Sequence, residues 1–207
     1  WRKHADGPMS WHIWAPELHF IGGKWFIYFA AGQAQDPWYI RTWILECDSP
    51  DPLAGVWKEK GQLVPEWDSF QLDTTVFEHA GQLYGVWAQK SQERTENSVL
   101  YIARMPNPYT LETPQVMISR PDHDWECRGF KVNEGPSVLE RNGHVFITYS
   151  ASATDATYCV GMLSADSESN LLDPKAWTKS ERPVFVTDEK KGIFGPGHSC
   201  FTTSRDG

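Results

Sequence analysis

A unit of two short apolar strands joined by a glycine turn recurs four times along the chain. A polar residue leads each first strand, and an aromatic second strand follows the turn. The turn glycines lie 58, 62 and 64 residues apart, at Gly23, Gly81, Gly143 and Gly207. This period is typical of a β-propeller blade rather than of a hairpin. Blades led by different polar residues are expected to direct several groups toward one central site.

Two more strands follow each of the first three hairpins. Apolar stretches near Trp43, Val99 and Tyr158 predict third strands, and a turn containing proline precedes each short fourth strand. Antiparallel meanders show this alternation of strands with Gly, Pro and Asn turns. We therefore expect an all-β fold in which residues 1–207 form one domain, truncated at both ends, with about three complete blades and parts of the flanking ones.

Composition limits the classes of partner. The net charge of −8 argues against nucleic acid, because phosphate binding needs a clustered basic face. No apolar run approaches the roughly 20 residues of a membrane span, and no signal peptide is visible at the N-terminus. The 11 Trp, 7 Tyr and 10 Phe residues suit the C–H faces of sugars, although most single rings are expected to pack between blades.

The cysteines predict neither a metal site nor a crosslinked scaffold. They are separated by 80, 32 and 41 residues and include no C-x-x-C pair. This spacing supports neither a zinc site nor a small disulfide framework. We expect buried thiols on strands at Cys47, Cys127, Cys159 and Cys200.

Two carboxylates are candidates for acid–base chemistry. Asp73 and Glu134 each lead an inner strand one blade apart, and we expect them to occupy matching places in the repeat. Two carboxylates in a desolvated aromatic pocket can form a general-acid pair, since crowding raises the pKa of one of them. Gly135 and Pro136 leave room for a ligand and fix the strand entry. The alternative is a structural role at a turn or strand edge.

Four ordered motifs resemble those of a known family. They are residues 14–17 (Trp-Ala-Pro-Glu), 72–73 (Leu-Asp), 133–136 (Asn-Glu-Gly-Pro) and 195–198 (Gly-Pro-Gly-His). In this order and at blade spacing they resemble glycoside hydrolase family 43, whose members are five-bladed propellers that act on arabinose- and xylose-containing polymers. The resemblance extends from about Trp11 to Gly207, and it looks closest to exo-acting α-L-arabinofuranosidases.

The resemblance implies a catalytic domain and a mechanism. Glu134 would be the general acid, and Asp73 would orient it and tune its pKa. The general base belongs to the preceding blade and is expected outside this chain, because Asp6 lies only 11 residues before Glu17 and is interpreted as a turn residue. The reaction would be a single displacement with inversion, which requires a protonated Glu134 and therefore a pKa above that of a free Glu.

The resemblance also implies contacts to the sugar. Trp14 would form an aromatic wall of the pocket, with simple packing as the alternative, and Leu72, Thr74 and His198 would be further substrate contacts. His198 would lie near the propeller axis, where family members often hold Ca²⁺ directly or through water. A lone imidazole is a poor calcium ligand, so a His bonded within an axial water network is the alternative. No organic cofactor is expected, and Glu17 is expected to have a hydrogen-bonding or structural role.

The implied substrate is a plant cell-wall polysaccharide or oligosaccharide, arabinan or arabinoxylan, from which L-arabinofuranose would be released. Such a polymer implies an extracellular or periplasmic location. A β-xylosidase or endo-arabinanase is the alternative within the family, and a non-catalytic carbohydrate-binding propeller is the alternative outside it. A protein-interaction propeller is disfavoured, because its blades would repeat the same leading residue. Glu46 and Glu126 resemble the Glu-Cys acid motif of invertase-like propellers but lack the proline of that motif.

Overall fold

A computed structural model describes residues 1–93, 95–202 and 204. Within these ranges, twelve strands form three four-stranded sheets in which neighbouring strands are consecutive in sequence. The predicted all-β meander with three complete four-stranded units is therefore confirmed. The strands are β1 (Trp11–Ile21), β2 (Lys24–Gly32), β3 (Arg41–Cys47), β4 (Lys58–Gln62), β5 (Gln71–His79), β6 (Gln82–Gln89), β7 (Val99–Met105), β8 (Val116–Ser119), β9 (Asn133–Arg141), β10 (His144–Ala151), β11 (Cys159–Asp166) and β12 (Thr178–Lys179).

The first hairpin of each sheet closes through a two-residue loop. Ile21 pairs with Lys24, His79 with Gln82 and Arg141 with His144. Both loop residues have positive φ in every case, which is the geometry of a type I′ turn and explains the glycine at the second position. The loops are Gly22–Gly23, Ala80–Gly81 and Asn142–Gly143. The predicted fourth turn, at Gly207, lies outside the described residues.

A β-bulge interrupts the inner strand β9 near its start. Glu134 pairs with Ser150 and Ser137 pairs with Thr148, so three steps along β9 correspond to two along β10. Gly135 lies inside the bulge with φ +54°. A bulge of this kind bends the strand and re-aims the side chains beside it.

The same bulge occurs at the same distance from the turn in β1 and β5. In β1 it separates Trp14 from Glu17, and in β5 it separates Leu72 from Thr75. The residue in the left-handed conformation lies eight positions before the turn glycine in all three strands. These residues are Ala15 (φ +45°), Asp73 (φ +53°) and Gly135 (φ +54°).

This register corrects the expected equivalence of the two carboxylates. Asp73 matches Gly135, whereas Glu134 matches Leu72. Glu17 matches Thr75 and is displaced from both carboxylate positions. The reason is a one-residue offset along the strand, since Asp73 lies eight positions before its turn glycine and Glu134 lies nine, while the bulge keeps a constant distance from the turn. The two carboxylates therefore leave their strands at different points of the bulge.

The chain divides by contacts into two compact units, residues 1–90 with 101–115 and residues 91–100 with 116–207. In the first unit a buried cluster beside β2 and β3 contains Met9, Phe29, Ala31 and Leu45. In the second unit Val145, Ile147 and Tyr149 alternate along β10 with at most 1% exposure, as expected for one buried sheet face.

Helical structure in the described ranges is limited to short 3₁₀ segments, Asp124–Glu126, Pro174–Ala176 and Glu189–Lys191. No helix there has the length and hydropathy needed to cross a membrane.

The cysteine prediction is half right. Cys47 and Cys159 are buried on β3 and β11, whereas Cys127 is only half-buried and Cys200 is exposed. Both exceptions lie outside the strands.

Candidate active site

In the second unit, Glu134 lies half-buried immediately before the β9 bulge. Its neighbour Asn133 is fully buried, and Gly135 follows in the left-handed conformation. The position is defined by strand pairing on one side and by the bulge on the other. Glu134 is thus carried by a strand rather than by a loop, which favours a fixed direction for its carboxylate.

Tyr158 is a direct partner of Glu134. The Tyr158 hydroxyl donates a 2.9 Å hydrogen bond to Glu134 Oε1, and Tyr158 is only 8% exposed. The glycine-rich segment before His198 covers the Tyr158 ring. A Cβ placed on Gly197 would lie 2.1 Å from Tyr158 Cε1, so this approach requires glycine. The tyrosine is therefore held between the acid and the covering segment.

His198 lies beside the same bulge. Its backbone N–H donates a 2.6 Å hydrogen bond to the hydroxyl of Ser150, the residue that pairs with Glu134 on β10. A Cβ on Gly135 would come within 3.1 Å of His198 Nδ1. His198 itself has φ +47°. The structure thus brings two predicted site residues of this unit, Glu134 and His198, to one bulge.

Among the described residues, His198 is not part of a cluster of ligating side chains. Calcium prefers six to eight oxygen ligands. The one group of three or more ligating side chains in the described ranges is Asp122, His123 and Glu126, which does not include His198. That group already contains a cation, since Lys179 Nζ lies 2.9 Å from carboxylate oxygens of both Asp122 and Glu126. A calcium ion near His198 therefore stays a prediction.

In the first unit, Asp73 is 6% exposed and occupies the bulge of β5 with φ +53°. Asp and Asn tolerate this conformation better than most residues, because their short polar side chains bond locally. The backbone thus points the carboxylate away from the direction that a regular strand residue at this position would have. A buried carboxylate whose direction is set by the backbone of the bulge is suited to hold a negative charge at a fixed place.

The two predicted substrate contacts beside Asp73 are buried. Leu72 is 6% exposed and Thr74 is 1% exposed. The hydroxyl oxygens of Thr74 and Thr42 lie 2.8 Å apart and share a hydrogen bond. Both residues therefore support the β5 backbone around Asp73, and their contact with a sugar remains a prediction.

Trp14 belongs to an exposed aromatic cluster in the first unit. It is 37% exposed, and its ring centroid lies 4.5 Å from that of His12. The His12 ring lies 4.8 Å from the ring of Trp38, which is 64% exposed. Exposed rings in contact with one another offer the apolar surface on which a sugar can stack. The aromatic wall at Trp14 stays a prediction, and Trp38 and His12 are further candidates for it.

Glu17 and Asp6 have the roles expected from the sequence. Thr75 donates a 3.2 Å hydrogen bond to Glu17 Oε2, and His19 Nε2 lies 3.5 Å from the same oxygen. Asp6 Oδ1 accepts hydrogen bonds from the N–H of Gly7 and from Gln35 in an exposed turn. Both carboxylates therefore support local structure.

Sequence patterns did not indicate Tyr158, Ser150 or Trp38. Tyr158 immediately precedes β11 and lies 24 residues from Glu134, so its contact depends on the pairing of three strands. Ser150 replaces the alanines that occupy its place in the other two sheets, Ala30 and Ala88. Aligning the three repeats on their turn glycines would have shown this difference, a serine where the other two repeats have alanine.

Comparisons with known proteins agree with one another. The family model described as glycosyl hydrolases family 43 matches residues 1–207. The chain is 55% identical over 207 residues to an extracellular exo-α-(1→5)-L-arabinofuranosidase of Streptomyces chartreusis, and 52% identical to a protein of the same name from Streptomyces avermitilis. It covers 63% and 43% of these two relatives and is itself matched over its whole length.

A solved structure is similar to the same extent. The chain superposes on an α-L-arabinofuranosidase from Lactobacillus brevis with a TM-score of 0.95 and 52% identity, covering 100% of this chain and 66% of that one. The 207 residues thus span less than two thirds of the relatives and the structure that they match.

Proposed function

The chain belongs to glycosyl hydrolases family 43, and on this premise we propose that it is part of a glycosidase that releases L-arabinofuranose from arabinan or from the side chains of arabinoxylan. The observation that supports this most directly is Glu134, a half-buried carboxylate bonded to Tyr158 at a strand bulge. Relatives named as exo-arabinofuranosidases at 52–55% identity support the choice of sugar and of exo action.

In the proposed reaction Glu134 is the general acid. It protonates the glycosidic oxygen as the bond to the anomeric carbon breaks, and water attacks that carbon from the opposite face. A second carboxylate, which we expect outside residues 1–207, takes the proton from the water. The product then has the inverted configuration. Asp73 has the role of the carboxylate that disfavours ionisation of Glu134, so that the acid is protonated when the substrate binds.

The remaining site residues would bind and orient the sugar. Trp14, with His12 and Trp38, offers an apolar surface for a sugar face. His198 lies beside the β9 bulge and can donate or accept a hydrogen bond there. Leu72 and Thr74 hold the strand that carries Asp73. No step of this proposal depends on a metal ion.

The proposal extends to the whole protein. We propose that the three sheets are blades of a single catalytic domain, a five-bladed propeller, with further strands contributed by segments beyond residues 1–207. The relatives named as extracellular support secretion of the protein to reach a cell-wall polymer.

The test is hydrolysis by the full-length gene product of an aryl α-L-arabinofuranoside, an aryl β-D-xyloside and linear arabinan. We expect release of arabinose, with proton NMR showing the inverted anomer as first product. Glu134→Gln should lower kcat by about 10²–10⁴-fold with little loss of stability. Glu140→Gln, which changes an exposed residue of the same strand, is the matched control. A folded protein that binds arabinan without releasing sugar would favour a carbohydrate-binding propeller, and release of xylose alone would favour a xylosidase.

A further inference from the structure

Glu126 is a fully buried carboxylate that the proposed reaction does not use. It ends the 3₁₀ segment Asp124–Glu126 and has 0% exposure. The backbone N–H groups of Asp122 and His123 donate to Oε2, and Lys179 Nζ lies 2.9–3.0 Å from both oxygens. The Tyr149 hydroxyl donates to Oε1 at 2.8 Å. A buried charge needs this many partners to offset its desolvation.

The remaining partner of Glu126 connects it to the acid. Asn133 Nδ2 donates a 2.8 Å hydrogen bond to Glu126 Oε1, and Asn133 immediately precedes Glu134. The other end of the amide is also held, because the Ser119 hydroxyl donates to Asn133 Oδ1 at 2.6 Å. Of the two ends of the Asn133 amide, only the NH₂ group can donate to the Glu126 carboxylate, so the amide has a single orientation. The Asn133 side chain is therefore fixed at both ends.

The backbone of Asn133 is held as well. Its N–H donates to the carbonyl of Ser98 at 3.1 Å, and the Ser98 hydroxyl donates to the Asn133 carbonyl at 3.2 Å. The bulge residue Gly135, with φ +54°, follows one position after Glu134. Glu134 is thus the single residue between a fully anchored asparagine and a conformationally permissive glycine. The anchored Asn133 holds the backbone of Glu134 on its N-terminal side, while the Tyr158 hydroxyl holds the carboxylate itself.

The fold alone does not require this anchor. The residue equivalent to Asn133 is Ile13 in β1 and Gln71 in β5. Gln71 is fully buried, yet neither its Nε2 nor its Oε1 has a hydrogen-bond partner. Both of those sheets form the same bulge without a buried carboxylate bonded to the side chain at this position, an arrangement that we call the carboxylate clamp. The clamp therefore belongs to the strand that carries the acid.

We propose that Glu126 is a positioning residue for Glu134, acting through the Asn133 amide to hold the acid in the direction needed for proton donation. This inference rests on the proposed function of Glu134. Glu126 does not touch the substrate. Its removal should impair proton donation selectively, because a misdirected acid matters most when the leaving group needs protonation.

The first test compares two leaving groups in the full-length gene product. Glu126→Gln should lower kcat on arabino-oligosaccharide by about tenfold or more, within the range that a general acid contributes. The kcat on 2,4-dinitrophenyl α-L-arabinofuranoside, whose leaving group needs little protonation, should fall by less than about twofold, with KM unchanged for both. An equal fall on both substrates would indicate a merely structural role and would overturn the inference.

Glu46→Gln is the matched control. Glu46 is another buried glutamate, on β3, with a hydrogen bond from the Tyr109 hydroxyl and with Lys24 and Lys60 each 3.5 Å away. It lies among the same types of partner as Glu126 but is not connected to Asn133. We expect Glu46→Gln to lower the melting temperature without changing the ratio of the two kcat values. The same change in ratio as for Glu126→Gln would contradict the inference.

Two further variants cover a failure of Glu126→Gln to fold. Ser119→Ala removes the second anchor of the Asn133 amide without removing a charge, and should change the kcat ratio in the same direction to a smaller extent. In a double-mutant cycle, Asn133→Ala should abolish the effect of Ser119→Ala, since both act through one amide. A folded Ser119→Ala protein with the wild-type ratio would overturn the proposal.

A readout independent of turnover separates this inference from the proposed function. The titration of the Glu134 carboxyl, followed by ¹³C NMR in glutamate-labelled protein, should move in Ser119→Ala and Glu126→Gln and stay at the wild-type value in Glu46→Gln. Wild-type protein that releases no sugar would refute the proposed function, whereas the titration would still show whether Glu126 and Ser119 control Glu134. An unmoved titration in both variants would refute the inference even if the enzyme is active.

Discussion

The hydroxyl of Tyr158 donates a hydrogen bond of 2.9 Å to the carboxylate of Glu134, 24 residues away in the chain. The contact joins the start of an inner strand to the residue that precedes β11. A bond donated to a carboxylate favours its ionised form. Tyr158 therefore opposes the protonation that the proposed acid needs before substrate binds, while it fixes the direction of the carboxylate.

Tyr158→Phe should separate these two effects. Loss of the donated bond disfavours ionisation of Glu134, so the alkaline limb of the pH–rate profile should move to higher pH. Loss of orientation should lower kcat by about tenfold, the equivalent of roughly 1.4 kcal/mol. The measurement is kcat against pH with arabino-oligosaccharide. A limb at the wild-type pH, with unchanged kcat, would show that the bond is absent in solution.

Asp73→Asn should move the same limb in the opposite direction. The change removes a negative charge that, in the proposed mechanism, disfavours ionisation of Glu134, so the alkaline limb should move to lower pH. Asparagine tolerates φ +53°, so the bulge should persist. The pH–rate profile and the melting temperature together check this. A limb that moves upward, or a large loss of stability, would contradict the electrostatic role.

Gly197→Ala should damage activity more than stability explains. A Cβ at this position would lie 2.1 Å from Tyr158 Cε1, so the ring must shift, at a cost of about 1–3 kcal/mol. Gly143→Ala is the matched control, because it has φ +76° and no atom within 4 Å of the added Cβ. Its strain should cost about 1–2 kcal/mol. We expect similar losses of unfolding free energy from urea titrations, but a fall in kcat for Gly197→Ala alone. Equal kcat values in the two variants would refute the positioning of Tyr158 by this segment.

The ion pair of Arg41 and Asp68 should make stability depend on pH. Arg41 is 4% exposed, and its Nε donates to Asp68 Oδ1 at 2.6 Å. This hydrogen bond, helped by one from Tyr39 and by the charge of Arg41, holds the pKa of Asp68 below its ordinary value and outweighs the opposing desolvation, although Asp68 itself is exposed. Because the folded pKa is depressed, the stabilisation is present above the unfolded value of about 3.9 and is lost as pH falls through the folded pKa.

Asp68→Asn should therefore lower the melting temperature at pH 7 and have a much smaller effect at pH 2–3. Glu112→Gln, at an exposed position of the same unit, should change neither. The measurement is the melting temperature of wild type and both variants by calorimetry at pH 7 and at pH 2–3. A difference between wild type and Asp68→Asn that grows on acidification would reverse the assigned sign.

The strands and hairpin turns could be predicted because their signals are local. Gly23, Gly81 and Gly143 occupy a turn position with positive φ, and apolar alternation marks the strands on either side. The acid candidate could also be predicted from the sequence, since Glu134 lies in a short motif with Gly135 and Pro136. The equivalence of Asp73 and Glu134 was wrong because the two residues lie eight and nine positions before their turn glycines, and only strand pairing shows that Asp73 lies within a bulge while Glu134 precedes one.

By itself, the sequence determined the repeat, the all-β class and the positions of the carboxylates, because turn and strand preferences depend on neighbouring residues. Only the tertiary structure decided which groups meet Glu134. Tyr158 reaches it through the pairing of three strands, and Glu126 reaches it through the buried amide of Asn133. Such contacts join residues distant in sequence, and their geometry follows from strand register and burial, which no local pattern records.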